Sequence, residues 1–327
     1  MSRFDLSRRQ ALMTAGAALT GLAGSRILAP TPAAAKAPFA KPAPPAFYNF
    51  NHGDMQISVV SDGPLGFGDG RKAMKEMSME AMAKMLEGGF LPADKMVLEQ
   101  NITVVNTGSK LAVFDTGTGT SKMFGETTGR LPKNLVAAGI DPATVDAVVL
   151  THCHPDHAGG MIDAAGKPVF PNAQVFVNEV DYKFWTDEAK LSGDLKAFVE
   201  YARTNLTPYK DRITFIKGGQ EILPGIQAID APGHTPGHTI FMLNSGGKPL
   251  AITADTAHHH ILFTENPRIE FAYDIDSKQA VQTRLKTFDM LATDRIPFIA
   301  FHFPWPGLGN IAKAGDVFRY YATPMNT

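Results

Sequence analysis

The ten residues 151–160, THCHPDHAGG, constrain this chain more than any other stretch. Within six positions they hold three histidines and an aspartate: His152, His154, Asp156 and His157. Such groups are costly to bury unless each is hydrogen-bonded, paired or bound to a cation. If the preceding segment is a strand, His152 and His154 point to one face, and the chain can turn at the proline to present Asp156 and His157. Imidazole nitrogens and carboxylate oxygens suit Zn²⁺, and also Fe, Mn or Co, so this stretch predicts a metal site.

Further candidate ligands each come just after a predicted strand. The paired glycines at 159–160 fit the same interpretation, because backbone without Cβ can pack close to a crowded site. The candidates are His234 and His238 in IDAPGHTPGH, Asp255 in ITADT, and His302 in AFHFPWPG.

The first 35 residues predict an export signal outside the folded domain. Arg8 and Arg9 precede a small-residue, mildly apolar run that is too short to span a membrane, and small residues suited to cleavage follow it. Adjacent arginines are typical of twin-arginine (Tat) signals. We therefore expect residues 1–35 to direct export to the periplasm or the medium. Residues 36–50 then form a Pro/Ala-rich linker, and residues 51–327 form one folded domain.

Composition narrows the class of partner. The 327 residues carry a formal net charge of −1, which gives no electrostatic reason to expect nucleic acid or an anionic membrane surface as a partner. We also expect no stable insertion of the mature protein into a membrane. The single cysteine, Cys153, cannot form an internal disulfide, so packing and metal must stabilise the chain. A small-molecule substrate is the expected partner, and a homodimer is compatible with the sequence.

Predicted strands outnumber predicted helices, and the helices lie between groups of strands. This order indicates two packed sheets with helices outside. PFIAFH, ending at His302, is the last strand that the pattern predicts, and Ser277 is the expected N-cap of the longest helix. The predicted helices span 71–89, 132–138, 179–187, 193–205 and 277–294.

Five motifs stand in a fixed order: FDTG at 114–117, H-x-H-x-D-H, G-H-T-P-G-H, an Asp-Thr pair after a strand, and a histidine at the end of a late strand. Together they resemble the metallo-β-lactamase fold superfamily over about residues 55–303. The resemblance implies an α/β protein with an αββα sandwich, in which two mixed β-sheets pack together and helices cover their outer faces.

The resemblance also implies how the candidate residues divide. His152, His154 and His234 would bind one divalent metal ion, and Asp156, His157 and His302 a second. Asp255 would bridge the two ions, with Asp156 and Asp255 also catalytic. Asp115 and His238 would orient the ligands from behind. The bridging Asp often follows Gly in this family, whereas Ala254 precedes it here; we expect a single methyl group to matter little.

Within the superfamily, a bridging carboxylate and the absence of a glutathione-binding helical domain favour the lactonase and phosphotriesterase branches. The chain looks most similar to methyl parathion hydrolase and to related lactonases and dihydrocoumarin hydrolases. Activity would be hydrolysis of lactones or aryl esters by a metal-bridging hydroxide, with phosphotriesters as further substrates. Zn²⁺ is the first choice for the metal. The expected substrate-pocket residues are Phe124, Phe184, Trp185, His258, Phe271 and Leu308.

Several alternatives stay open at this stage. The four aromatic or aliphatic wall candidates other than His258 and Phe271 could equally be ordinary core or surface residues. For His259 and His260 we expect a solvated loop. The main activity could instead be organophosphate hydrolysis of the methyl parathion type. An iron redox enzyme on the same fold, or a non-enzymatic metal carrier, is the alternative from another class.

Overall fold

The computed structural model describes residues 44–66, 69–75 and 77–324. The predicted export signal, 1–35, and most of the predicted linker lie outside these residues. The linker prediction is wrong at its end, because Phe47–His52 forms a strand that pairs along its whole length with Met55–Ser61. Backbone pairing orders this segment despite the prolines just before it, so the folded domain begins ahead of residue 51.

The first sheet is mixed. Its first four strands are antiparallel, and the remaining neighbours run parallel. In spatial order the strands are β1 (Phe47–His52), β2 (Met55–Ser61), β4 (Asn101–Asn106), β5 (Leu111–Phe114), β6 (Ala147–Val149), β7 (Gln174–Asn178) and β8 (Ile213–Ile216).

The second sheet is also mixed, with one parallel pair, β12 and β14, at its centre. In spatial order its strands are β16 (Val317–Ala322), β15 (Leu308–Ala314), β14 (Phe298–Ala300), β12 (Lys248–Ala254), β11 (Thr239–Ser245), β10 (Ile226–Asp230) and β9 (Glu221–Leu223). Two short strands, β3 (Met74–Lys75) and β13 (Glu270–Phe271), pair separately. The hairpin β15–β16 was missed by the sequence pattern, which ended the last strand at His302.

The helices differ from the prediction in several places: the one predicted from residue 193 begins at Lys196, the short helix Pro155–Ala158 was not predicted, and two N-caps lie elsewhere. Ser78 caps the first helix by accepting a hydrogen bond from the Ala81 N–H, so the helix does not begin at residue 71. Asp276, rather than Ser277, caps the longest helix. No helix among the described residues is long and apolar enough to cross a membrane. The α-helices are α1 (Met79–Gly88), α2 (Leu131–Ala137), α3 (Pro155–Ala158), α4 (Glu179–Thr186), α5 (Lys196–Leu206) and α6 (Ser277–Thr293).

Three apolar clusters separate four layers. The central cluster joins the sheets, where Phe114 of β5 meets Phe241 of β11 edge-on at 5.2 Å between ring centroids. A second cluster packs α2, α4 and α5 on the outer face of the first sheet, and includes Trp185. A third packs α1 and α6 on the second sheet, and includes Phe288. This arrangement confirms the predicted αββα sandwich.

Candidate metal centre

The candidate ligands meet at one edge of the sandwich because they follow the carboxyl ends of strands. The 152–157 stretch follows β6 of the first sheet. From the second sheet, His234 lies between β10 and β11, Asp255 follows β12 and His302 follows β14. Parallel neighbours in each sheet end at the same edge, so residues distant in sequence converge.

The predicted ligand atoms form two adjoining groups, and His234 and Asp255 also form a third group with His258. Within each, the nitrogen or oxygen atoms that could face a cation lie within 4.8 Å of one another. Asp255 joins the groups: its Oδ2 lies 3.3 Å from Nε2 of His234 and its Oδ1 lies 3.3 Å from Nε2 of His157. We call these seven residues the metal cradle: His152, His154 and His234 in one group, and Asp156, His157, Asp255 and His302 in the other.

Four cradle histidines are fixed through Nδ1. Thr151 Oγ1 lies 3.0 Å from Nδ1 of His152, and Asp115 Oδ2 lies 2.8 Å from Nδ1 of His157. The other two, His234 and His302, contact Asp274 Oδ1 and the Glu99 carbonyl, each at 2.8 Å. A ring that donates from Nδ1 keeps a lone pair on Nε2, the form in which imidazole binds a metal.

Of the opposite ring nitrogens, Nε2 of His302 lies 3.3 Å from Asp255 Oδ2, and the other three have no hydrogen-bond partner among the described residues. Nε2 of His152, His157 and His234 and Oδ1 of Asp255 are buried without a hydrogen-bond partner among the described residues. A buried polar atom left unpaired costs about 1–3 kcal/mol, so a cluster of them needs a compensating group. Their chemistry, imidazole nitrogen with carboxylate oxygen, fits divalent transition metals such as Zn²⁺.

The electrostatics favour positive charge around Asp255, although burial and the neighbouring histidines lower the pKa of His152 and of His154 well below the usual value. Burial alone lowers the pKa of an imidazole, but the carboxylates around His157 reverse this effect and raise its pKa well above the usual value. Asp255 and Asp274 likewise overcome burial and raise the pKa of His234 to about 9. Although burial opposes it, the neighbouring histidines hold the pKa of Asp255 well below its usual range. These positions therefore stabilise a cation, either a proton or a metal ion.

Asp115 and His238 stand behind the cradle. Asp115 accepts hydrogen bonds from the Thr151 N–H and hydroxyl, at 2.8 Å each, besides contacting His157. Nδ1 of His238 lies 2.9 Å from the Ala231 carbonyl, and its Nε2 accepts from the Asp255 N–H at 3.1 Å. His238 is thus turned to the backbone of Asp255, and His234 is the member of GHTPGH whose Nε2 faces the Asp255 carboxylate.

Two backbone positions beside the cradle, Gly160 and Ala254, are sterically restricted. A Cβ on Gly160 would lie 2.0 Å from the Thr116 carbonyl oxygen, so this position admits only glycine without rearrangement. Ala254, just before Asp255, has φ +43°. A side chain costs roughly 1–2 kcal/mol in this left-handed region. The expectation that Ala for Gly matters little here is therefore wrong, and the strain lies next to the bridging ligand.

A small cavity, of about 30 Å³, opens above the cradle. His154, Asp156, His234, Asp255 and His302 form its floor, and His258 stands beside them. Its sides are apolar, as in most small-molecule sites. We call these side residues the pocket wall: Leu65, Leu98, Phe124, Phe198, Phe271 and Tyr273.

Half of the predicted pocket residues line this cavity, namely Phe124, His258 and Phe271. Trp185 is fully buried behind the cradle, with its ring centroid 4.8 Å from that of His154. Phe184, its neighbour on α4, packs against the same outer core and under the Lys190 ammonium. Leu308 belongs to the core between the sheets and lines a different cavity, beside Tyr48. Phe184 and Trp185 lie on α4 and Leu308 begins β15, and tertiary packing decides which apolar surface each of them covers.

The three consecutive histidines differ from expectation. His258 Nε2 lies 3.3 Å from Asp255 Oδ2, and within the described part of the chain neither of its ring nitrogens has a hydrogen-bond partner. Burial lowers the pKa of His258 to about 4 despite the facing carboxylate, so the ring is neutral at pH 7. The solvated loop predicted for His259 and His260 is wrong. His259 is buried, where its Nδ1 accepts from the Ile261 and Leu262 N–H groups, and His260 packs on Phe303 and Tyr320.

Three buried charged residues around the cradle were missed by sequence reasoning. Asp181 of α4 accepts from the Cys153 N–H at 2.8 Å and from the Gly237 N–H at 3.1 Å, which ties two ligand loops together. Asp274 contacts His234, and Arg284 of α6 lies beside Asp274. None of the three stands in a motif; a lone arginine in the apolar stripe of a predicted helix was the one available signal.

The sequence matches one protein family and several characterised relatives. The model of the metallo-beta-lactamase superfamily matches residues 96–301. The N-acyl homoserine lactonase AttM of Agrobacterium fabrum is 31% identical over 160 residues, which cover 46% of this chain and 56% of AttM. AiiA of Bacillus thuringiensis subsp. kurstaki, also an N-acyl homoserine lactonase, is 28% identical over 130 residues, 39% of this chain and 45% of AiiA. The chain thus spans about half the length of the curated relatives it matches.

Solved structures extend the likeness to nearly the whole described domain. AidC, a dizinc quorum-quenching lactonase solved with a product, has a TM-score of 0.80 at 27% identity, with 86% of this chain and 99% of AidC covered. The hydrolase AbOPH of the beta-lactamase superfamily has a TM-score of 0.81 at 31% identity, with 88% and 100% covered. The expected likeness to methyl parathion hydrolase stays a prediction. By family match, fold and the convergence of its motifs, this chain belongs to the metallo-beta-lactamase superfamily.

Proposed function

We propose that this protein is a hydrolase that binds two divalent metal ions and cleaves lactones or aryl esters. One observation carries the proposal: Asp255 lies between two groups of buried ligand atoms, within 3.3 Å of His234 on one side and of His157 and His302 on the other. A carboxylate in that position can bind a cation through each oxygen. Sharing one ligand between two ions brings both to a single reaction centre.

The cradle residues would divide as follows. His152, His154 and His234 would hold one ion, and Asp156, His157 and His302 the other, with Asp255 common to both. Asp115 would fix the ring of His157, and His238 would fix the backbone of Asp255. Zn²⁺ is the first choice because the ligand set suits it and because the similar structure AidC is described as dizinc.

When bound, two such ions lower the pKa of a water molecule and polarise a carbonyl oxygen. The chain's own residues would then handle protons and position. The Asp156 carboxylate reaches the cavity floor 3.4 Å from His302 Nε2, where it can take a proton from water and return it to the leaving oxygen. Neutral His258, beside Asp255, can donate a hydrogen bond to the oxygen that becomes negatively charged.

The pocket wall supports an apolar substrate with one polar, reactive end. Four of its six members are aromatic, and the polar groups of the cavity concentrate at its floor. A lactone with an apolar substituent, or an aryl ester, has this distribution of polarity. The N-acyl homoserine lactonases named above make a lactone the first substrate class to test.

The test combines metal analysis with a substrate screen. Purified protein should contain about two first-row metal ions per chain after reconstitution, and should hydrolyse lactones or aryl esters with higher kcat/KM than phosphotriesters. Full activity at no more than one ion per chain would refute the two-metal proposal. A preference for phosphotriesters would instead reverse the substrate assignment and leave the metal assignment standing.

A further inference from the structure

Arg284 is a buried arginine with an unusual set of partners. It lies on α6 with 1% of its surface exposed, and the central carbon of its guanidinium lies 4.6 Å from the centroid of the Phe263 ring. Its Nε donates to the Thr256 carbonyl at 3.0 Å, and its Nη1 donates to the carbonyls of Pro267 and Ile269 at 3.0 and 2.8 Å. All these carbonyls belong to the segment between Asp255 and α6.

Two of its contacts lead directly to metal ligands. Thr256 follows Asp255 in the chain, so the hydrogen bond to its carbonyl holds the backbone beside the bridging ligand. Nη2 of Arg284 lies 4.0 Å from Asp274 Oδ2, and Asp274 Oδ1 lies 2.8 Å from Nδ1 of His234. The buried guanidinium of Arg284 is thus linked to Asp255 through Thr256 and to His234 through Asp274.

The remaining contacts lead to the pocket wall. Pro267 and Ile269 come just before Phe271, which lines the cavity with its ring centroid 4.3 Å from that of His258. The backbone of the same segment also holds the GHTPGH loop, since the Ile275 N–H donates to the His234 carbonyl at 3.0 Å. The segment therefore connects the cradle with the wall, and Arg284 binds it from inside.

We propose that Asp274 and Arg284 are positioning residues for His234 and Asp255. Asp274 keeps the proton of His234 on Nδ1, which leaves Nε2 free for a cation. Arg284 compensates the buried charge of Asp274 and fixes the segment that carries Thr256 and Phe271. The inference rests on the two-metal part of the proposed function and assigns its effect to one of the two sites, the one that contains His234.

The chemistry distinguishes the possible substitutions. Asp274→Ala removes both the charge and the acceptor, so His234 can turn or carry its proton on Nε2. Asp274→Asn removes the charge but keeps an oxygen that can accept from Nδ1, so it should restore part of the effect. Arg284→Lys keeps a positive charge but cannot replace three donors in a fixed fork.

The experiment titrates metal-free protein with Zn²⁺ against a chromophoric chelator. Variants are studied both alone and in a His302→Ala background, where the site containing His234 is the better preserved of the two. Asp276→Ala is the matched control, because Asp276 is an exposed carboxylate on the same segment that caps α6 without contacting a ligand. Thermal unfolding of each metal-free variant is recorded beside its Zn²⁺ affinity.

We expect Asp274→Ala to lower the affinity for one of the two Zn²⁺ ions about 10- to 100-fold, as is typical when a ligand loses its orienting carboxylate. Asp274→Asn should lower this affinity less than Asp274→Ala does. Arg284→Lys should lower the affinity for the same ion, also by less than Asp274→Ala. Unchanged affinity in Asp274→Ala, equal weakening of both ions, or the same loss in Asp276→Ala would overturn the inference. Wild-type protein that binds fewer than two Zn²⁺ would instead refute the two-metal proposal.

Discussion

The metal cradle and the pocket wall occupy one cavity but are built in opposite ways. In the cradle, four of the five histidines are each oriented by a hydrogen bond from Nδ1 to a specific partner, as His157 is by Asp115 and His234 by Asp274. In the wall, side chains such as Phe124 and Phe271 are held by apolar contacts, which have no preferred direction. The cradle therefore fixes geometry, whereas the wall fixes volume and polarity.

This difference indicates which changes each region tolerates. Loss of a single cradle partner leaves a buried polar atom unpaired, and the penalty is local and large. A wall residue can be exchanged for another apolar residue at lower cost when the volume is conserved. We therefore expect metal binding to depend on the cradle, and substrate preference to depend on the wall.

The largest effect is expected for Asp255→Ala. Removal of the bridging carboxylate takes a ligand from both groups at once, so both metal ions should be lost and hydrolysis should fall to background. Elemental analysis with kcat/KM on one lactone measures both effects. A variant that retains two ions would contradict the bridging role.

His302→Ala should affect the cradle unevenly. His302 belongs to the group with Asp156 and His157, and it does not belong to the group of His152, His154 and His234. Metal content should therefore fall from two ions to about one, with activity strongly reduced. His154→Ala is the reciprocal control, and loss of both ions in either variant would show that the two sites are not separable.

Phe271→Ala tests the wall. Phe271 is 1% exposed and packs on His258 and Phe263, so its truncation leaves a cavity. We expect about 3–5 kcal/mol of lost stability, with KM raised and metal content unchanged. Chemical denaturation and elemental analysis of the same preparation separate the two regions. If Phe271→Ala lost metal as well as stability, the proposed distinction between cradle and wall would be wrong.

The smallest effect is expected for His258→Leu, which lies where the regions meet. Leucine removes a hydrogen-bond donor near the reacting oxygen and makes room for bulky apolar groups. The ratio of paraoxon-type to dihydrocoumarin-type kcat/KM should rise by an amount equivalent to ~1–3 kcal/mol. Metal content should stay at the wild-type level. A falling ratio would show that His258 does not favour the lactone transition state.

The sequence alone predicted the cradle and the layers of the sandwich. Metal ligands belong to few residue types, and close spacing such as that of His152, His154, Asp156 and His157 is rare without a chemical reason. Strand periodicity likewise predicts sheets, because burial of alternate or continuous apolar residues follows from local geometry. The hairpin β15–β16 escaped because its strands alternate weakly, with exposed residues on both faces.

Only the tertiary structure decided which other residues serve the site. Phe124 reaches the cavity, while Trp185 supports His154 from behind and Leu308 fills the core between the sheets. An aromatic or aliphatic side chain gives no sign in the sequence of which apolar surface it will cover. Asp274 and Arg284 were hidden for a related reason: Asp274 stands 40 residues after His234 and Arg284 ten residues after Asp274, and no sequence motif marks either pairing. The sequence determined the chemistry of the ligands, and packing determined the shape around them.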